Sequence, residues 1–163
     1  MKSTVGMLAV AMLASGCATT TDGEGRFRIN NVKQGLARVG SHGSGTIYSE
    51  GSNFRVERNG DCVAIGKTVP CMWYAIAFDY EAKSEVTTLT CSTSFNEPVE
   101  VVDPSKSHGK AREFSGEITL KGARGKAFWP GYITIDDEKV PDRLTMVCQF
   151  EGREILRVNF AFQ

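Results

Sequence analysis

The chain has 163 residues, 41% of them hydrophobic, and its 19 Lys and Arg are balanced by 19 Asp and Glu for no net charge. That length suits one domain built on a single core. The charge balance excludes the basic surface that nucleic acid or an anionic membrane face would select.

The chain opens with a positive residue, Lys2, then a run of nine apolar or small residues from Val5 to Leu13, then small residues. This is the pattern of a secretory signal. A membrane-spanning helix needs roughly 20 apolar residues, and the run stops at Ser15-Gly16. The small residues end on a cysteine, and Ala14-Ser15-Gly16-Cys17 resembles the lipobox of bacterial lipoproteins, with Ala where Leu is commonest. The resemblance implies cleavage before Cys17, a thioether-linked lipid on Cys17, and an acylated N-terminus that holds the protein on its membrane. Several acyl chains hold far more firmly than one, because each buried methylene contributes about 0.8 kcal/mol. Ala18 stands where an inner-membrane lipoprotein usually carries Asp, so the resemblance implies the outer membrane, on its periplasmic or surface face. Removing residues 1–16 from the 163 leaves 147, with 18 basic and 19 acidic side chains once Lys2 is gone.

Five cysteines are an odd number, but with Cys17 on lipid the remainder is Cys62, Cys71, Cys91 and Cys148, which fits two disulfides. An exported chain meets an oxidising compartment, and sequence alone allows three connectivities. Neighbours in sequence suggest Cys62–Cys71 and Cys91–Cys148, closing loops of 10 and 58 residues. In the chain-entropy model these loops contribute about 2.7 and about 4.2 kcal/mol. The alternative, four thiols around zinc, lacks the close Cys-x-x-Cys spacing and nearby His of a structural site. No metal or cofactor is expected.

Residues 17–25 read as a flexible, lipidated tether, leaving 26–163 as one domain. Phe27 to Val39 admits a short helix: Asn30-Asn31 offers a cap, Val32, Leu36 and Val39 recur at helical spacing, and Gly40 follows. Gly35 in its middle costs about 1 kcal/mol against it. Beyond Thr46 the period becomes two. Phe54 and Val56 alternate with charged residues, and Tyr74, Ile76, Phe78 and Tyr80 alternate with Trp73, Ala75, Ala77 and Asp79. Leu89, Cys91, Thr93 and Phe95 share one face, with Thr88, Thr90, Ser92 and Ser94 on the other. Shorter versions follow at Val99 and Val101, at Phe114, Ile118 and Leu120, and at Ile133 and Ile135. Pro104 to Gly109, Gly122 to Gly125 and Asp136 to Asp142 read as turns. The end is a hairpin: Leu144, Met146, Cys148 and Phe150 face Leu156, Val158, Phe160 and Phe162 across Glu151-Gly152.

About eight short strands predict an all-β, antiparallel β-sandwich of immunoglobulin-like architecture. The Cys91…Cys148 arrangement resembles an immunoglobulin bridge. It departs from one in carrying Met146 where a tyrosine corner would have Tyr, and no Trp between Cys91 and Trp129. The architecture is expected, not the family.

Catalytic chemistry finds little purchase. His42 and His108, the only two histidines, lie in Gly- and Ser-rich stretches that read as loops. Asp136-Asp137-Glu138 and Asp142 form the densest acidic group, without the ligand spacing of an EF-hand. Gly122 to Gly125 is too short for a phosphate loop. The most suggestive stretch is Lys121 to Tyr132, where basic residues meet aromatic ones. Lys126, Phe128, Trp129 and Tyr132, read as a loop at the end of the sandwich, would suit a peptide or glycan. Equally, Phe128 and Trp129 would suit the edge of a core. The sequence thus predicts a binding, accessory or adaptor module of the bacterial envelope and not an enzyme, with an envelope protein or cell-wall polymer as partner. The alternative is an inhibitor of an envelope-targeting hydrolase of protease or lysozyme type.

Overall fold

In the computed structural model, residues 20–21, 23–40, 43–64, 66–100, 110–135 and 140–163 are described. Cys17, His42, His108 and Asp136-Asp137-Glu138 lie outside them, as do the signal segment, Val101 and the whole of the Pro104 to Gly109 turn.

Among the described residues, eleven strands follow one another: β1 (Thr20–Thr21), β2 (Phe27–Val39), β3 (Gly45–Glu50), β4 (Asn53–Phe54), β5 (Gly60–Ala64), β6 (Lys67–Ala82), β7 (Val86–Glu100), β8 (Lys110–Lys121), β9 (Arg124–Thr134), β10 (Arg143–Phe150) and β11 (Arg153–Phe162). They form two sheets. The first runs β1-β2-β6-β5, with β3 added to β2 and β9 to β6; the second runs β4-β11-β10-β7-β8. All pairings are antiparallel except the short β4–β11 contact, which is parallel. The fold is an immunoglobulin-like β-sandwich, as the period-two pattern predicted. β1 extends the ordered domain into the stretch read as tether, with Thr20 opposite Ile29.

The segment that admitted a helix is instead β2. Phe27 and Ile29 point into the core before Asn31, and Leu36 does so after it, so the inward parity switches from odd to even. The switch is a β-bulge: Asn30 pairs with Asp79 and Lys33 with Ala77, three steps on β2 against two on β6. Asn31 absorbs the extra residue at φ 51°, a left-handed conformation that asparagine tolerates better than most side chains. Val32 and Leu36 share the new even parity and pack on the core; Val39 is odd, and the helical spacing it completes is accidental.

Between the sheets lies a core in which aromatic rings meet across the layers. Phe160 of β11 sits 5.2 Å from Tyr74 of β6, and Phe150 of β10 sits 5.2 Å from Phe27 of β2. Two glycines of β9 make room for β6 rings: a Cβ at Gly131 would lie 2.5 Å from the Tyr74 ring, and one at Gly125 would lie 2.6 Å from the Tyr80 hydroxyl. The β10–β11 turn needs left-handed backbone at both central residues, and Glu151 (φ 48°) and Gly152 (φ 77°) supply it. A bulge after Cys148 buries Ile155 beside Leu156.

Cys91 and Cys148 are bonded. They face one another directly on β7 and β10, with Cα atoms 4.0 Å apart. The bridge therefore pins neighbouring strands of one sheet, whereas an immunoglobulin bridge joins the two sheets. Cys62 and Cys71 are a correction to the two-disulfide expectation: both are free and buried. Their strands pair with Gly60 opposite Cys71 and Cys62 opposite Val69, which leaves the two cysteines diagonal. Diagonal neighbours stand about 7–8 Å apart at Cα, beyond the reach of roughly 6.8 Å that a disulfide spans.

Candidate functional site

Strand alternation divides β6 between two faces. Met72, Tyr74, Ile76, Phe78 and Tyr80 enter the core, leaving Trp73, Ala75, Ala77 and Asp79 on the outer face of the first sheet. β9 runs alongside in register, so Trp129 stands opposite Ile76, while Lys126, Phe128 and Tyr132 stand opposite Asp79, Ala77 and Trp73. The segment read as an aromatic, basic loop is thus a strand, and its candidate residues part company. Trp129 packs half-buried against the core; Lys126, Phe128 and Tyr132 share the outer face. Phe128 is taken up by packing there, its ring so close to Gly45 that a Cβ would lie 2.7 Å away.

At one end of this face, residues from five segments converge. The rings of Trp73 and Tyr132 meet edge to face with centroids 5.0 Å apart, a favoured aromatic geometry. Trp73 Nε1 donates to the Asp61 carbonyl at 3.1 Å, and the indole lies over Gly60, where a Cβ would come within 2.9 Å of it. Asn59 ties the group together. Its Nδ2 donates to the Trp73 carbonyl at 2.9 Å and to the Tyr48 hydroxyl at 3.1 Å, and its Oδ1 accepts from the Trp73 N–H at 2.7 Å. Tyr48 is 46% exposed, and the Arg38 guanidinium stands over its ring at 5.3 Å, a cation–π contact. The result is a rigidly held aromatic patch with an exposed tyrosine and a cation at its rim.

Beside the patch lie the two free thiols. The Cys62 thiol donates to the Val69 carbonyl at 3.8 Å, and Cys62 and Cys71 are near enough for each to shift the other's titration. Burial pushes both thiols up, Cys71 the further because the neighbouring Cys62 also favours its protonated form. Burial likewise raises Tyr132, whose phenol feels both sulfurs. With Cys91 and Cys148 bonded to each other, the four-thiol zinc alternative is unavailable to this fold.

The far end of the same face is a polar dish of about 600 Å³, lined by Asn30, Asn31, Asp79, Glu81, Arg124 and Lys126 among others. The β2 bulge aims Asn31 at Asp79, its Nδ2 donating to Oδ2 at 2.7 Å, and Arg124 Nε stands 3.8 Å from Glu81 Oε1. Charges of both signs are intermixed there. Among the described residues no group of three His, Cys, Asp or Glu side chains is placed to hold a metal ion.

The chain is similar in structure to an immunoglobulin-like protein from Pseudomonas aeruginosa. The TM-score is 0.51 at 12% identity, over 82% of this chain and 92% of that one. At that identity the likeness is one of fold. No protein-family model and no curated protein matches the chain.

Of the four candidate residues on β9, the structure keeps Tyr132 in the patch, moves Lys126 to the dish, and gives Phe128 and Trp129 to packing. Sequence reasoning missed Arg38, Tyr48 and Asn59 as members of a site. One signal was present: Trp73 occupies an outward position of an amphipathic strand, where so large an apolar side chain calls for a partner.

Proposed function

We propose that this protein is an exported, lipid-anchored binding module of the bacterial envelope, which grips its partner through the outer-face patch of Arg38, Tyr48, Trp73 and Tyr132. The anchor rests on the Ala14-Ser15-Gly16-Cys17 resemblance, and Ala18 directs it to the outer membrane. The single observation that carries the binding reading is the edge-to-face pair of Trp73 and Tyr132, tied through Asn59 to the exposed Tyr48 of β3, with a guanidinium beside that ring. Aromatic and arginine side chains are the residues that dominate protein recognition energetics. Held rigid before binding, they lose little freedom on contact. The partner that fits is an envelope protein, and the module acts by holding it rather than by chemistry.

A photocrosslinking residue in place of Tyr48, compared in living cells with one in place of Thr119 on the outer face of the second sheet, tests this. A discrete adduct from position 48 alone, lost with Arg38→Ala, is expected; no adduct, or the same adducts from both positions, overturns it. Labelled palmitate tests the anchor, with incorporation expected in the native chain and abolished in Cys17→Ala.

A further inference from the structure

Cys62 and Cys71 are not placed as a structural staple. They sit diagonally across β5–β6, both buried and both free. Cys91 and Cys148, by contrast, face each other directly and are joined. One fold thus carries a bonded pair and a diagonal dithiol. β5 is the terminal strand of its sheet and its ladder is made with β6 alone, so local opening there breaks few contacts.

We infer that Cys62 and Cys71 are a dithiol–disulfide exchange site, whose oxidation by a small-molecule or protein disulfide shifts β5 against β6 and repositions Trp73. In the first step the Cys62 thiolate, having lost its proton to solvent, attacks one sulfur of the co-reactant disulfide. That bond breaks, and one half leaves as a thiolate. The Cys71 thiolate then attacks Cys62 Sγ of the mixed disulfide and expels the other half. Two protons and two electrons leave the cysteines; the co-reactant is reduced to two thiols. Cys62 is the attacking sulfur because it lies on the terminal strand β5, whose opening exposes it, and because the neighbouring Cys71 works against the upward push of burial on its thiol. Access through β5 opening makes the exchange slow.

The structural consequence follows from what β5 and its approach hold. Closing a diagonal pair to disulfide distance requires β5 to slide or tilt by an ångström or more. Asp61, which accepts from Trp73 Nε1, and Gly60, over which the indole lies, belong to that strand. Asn59, just before it, holds Trp73 and Tyr48 together. Oxidation therefore disturbs the patch. The regulatory meaning of this step rests on the proposed binding role of the patch; the exchange chemistry does not.

The test equilibrates the intact protein in buffers of graded reduced and oxidised dithiothreitol, quenches in acid, alkylates free thiols and maps peptides by mass spectrometry. Trp73 emission is read in parallel in Trp129→Phe, which leaves Trp73 as the only tryptophan. Expected is the joint loss of both alkylation sites at one redox ratio, together with a shift in Trp73 emission, while Cys91–Cys148 stays bonded to a more reducing ratio. Cys71→Ser should abolish the emission shift and leave Cys62 alkylatable throughout. Thiols that stay alkylatable in the most oxidising buffer, oxidation without a change in Trp73 emission, or a bond that breaks only together with Cys91–Cys148 would each overturn the proposal. These readouts involve no ligand, so their failure is distinct from a missing crosslink at Tyr48.

Discussion

Replacing Cys91 and Cys148 together by alanine removes the Cys91–Cys148 bridge, and two effects add. The unfolded chain regains the freedom of a loop of 58 residues from Cys91 to Cys148, which the chain-entropy model sets at about 4.2 kcal/mol. The fold also loses two fully buried sulfurs, each comparable to a methylene at roughly 1 kcal/mol. The sum, about 6 kcal/mol, is a large part of the 5–15 kcal/mol by which domains are typically stable. At a urea slope of roughly 2 kcal/mol per molar, the midpoint should fall by about 3 M. The control is Cys62→Ala with Cys71→Ala, under reducing conditions that leave Cys91–Cys148 bonded. It removes two buried sulfurs but no crosslink, and should cost only about 2 kcal/mol. Equal losses in the two double variants, measured by urea titration of intrinsic fluorescence, would refute the claim that loop closure dominates.

Three further outcomes are expected. Gly131→Ala places a Cβ 2.5 Å from the buried Tyr74 ring and should cost about 1–3 kcal/mol of overpacking; Gly116→Ala, with nothing within 4 Å, should change the urea midpoint little, and parity between the two would sink the packing argument. Trp129→Ala, half-buried against the core, should cost about 2–3 kcal/mol, less than a fully buried Trp, without altering the crosslink from position 48. Burial holds Cys62, Cys71, Tyr74 and Tyr132 protonated beyond their ordinary range. The unfolded chain ionises thiols near about 8.5 and phenols near about 10, so their contribution is complete below those values and lost as pH rises through them toward the folded values. The melting temperature of the protein should therefore fall above about pH 8.5, and a flat or rising profile would contradict the assignment.

Much of the fold was legible because a strand advertises its two faces locally. Tyr74 to Tyr80, Leu89 to Phe95 and Leu144 to Phe150 each show their inward set without reference to any other segment, and Glu151-Gly152 shows the turn between the last two strands. Where a bulge intervenes, that legibility fails. The extra residue at Asn31 moves the inward set of β2 from Phe27 and Ile29 to Val32 and Leu36, so no single alternation runs through the strand, and Val32, Leu36 and Val39 suggest a helical spacing that the chain does not adopt.

The candidate site was less legible than the core, for a different reason. Tyr132 and Trp73 occupy outward positions that alternation reveals, but their meeting depends on β9 pairing with β6 in one register, and on Asn59 reaching both Trp73 and Tyr48. Lys126, Phe128 and Trp129 looked like one group because they are close in sequence; period two puts Trp129 on the opposite face from the other two.

The amino-acid order by itself determined the all-β class, the inward faces of the long strands and the final hairpin, since these follow from the sterics of consecutive residues. Only the tertiary structure decided which sulfurs bond. Cys91 meets Cys148 because two strands distant in sequence pair in a register that sets them face to face, whereas Cys62 and Cys71, close in sequence, fall on a diagonal. Register is a property of two strands at once, set by how both bury their apolar faces, and no single segment contains it.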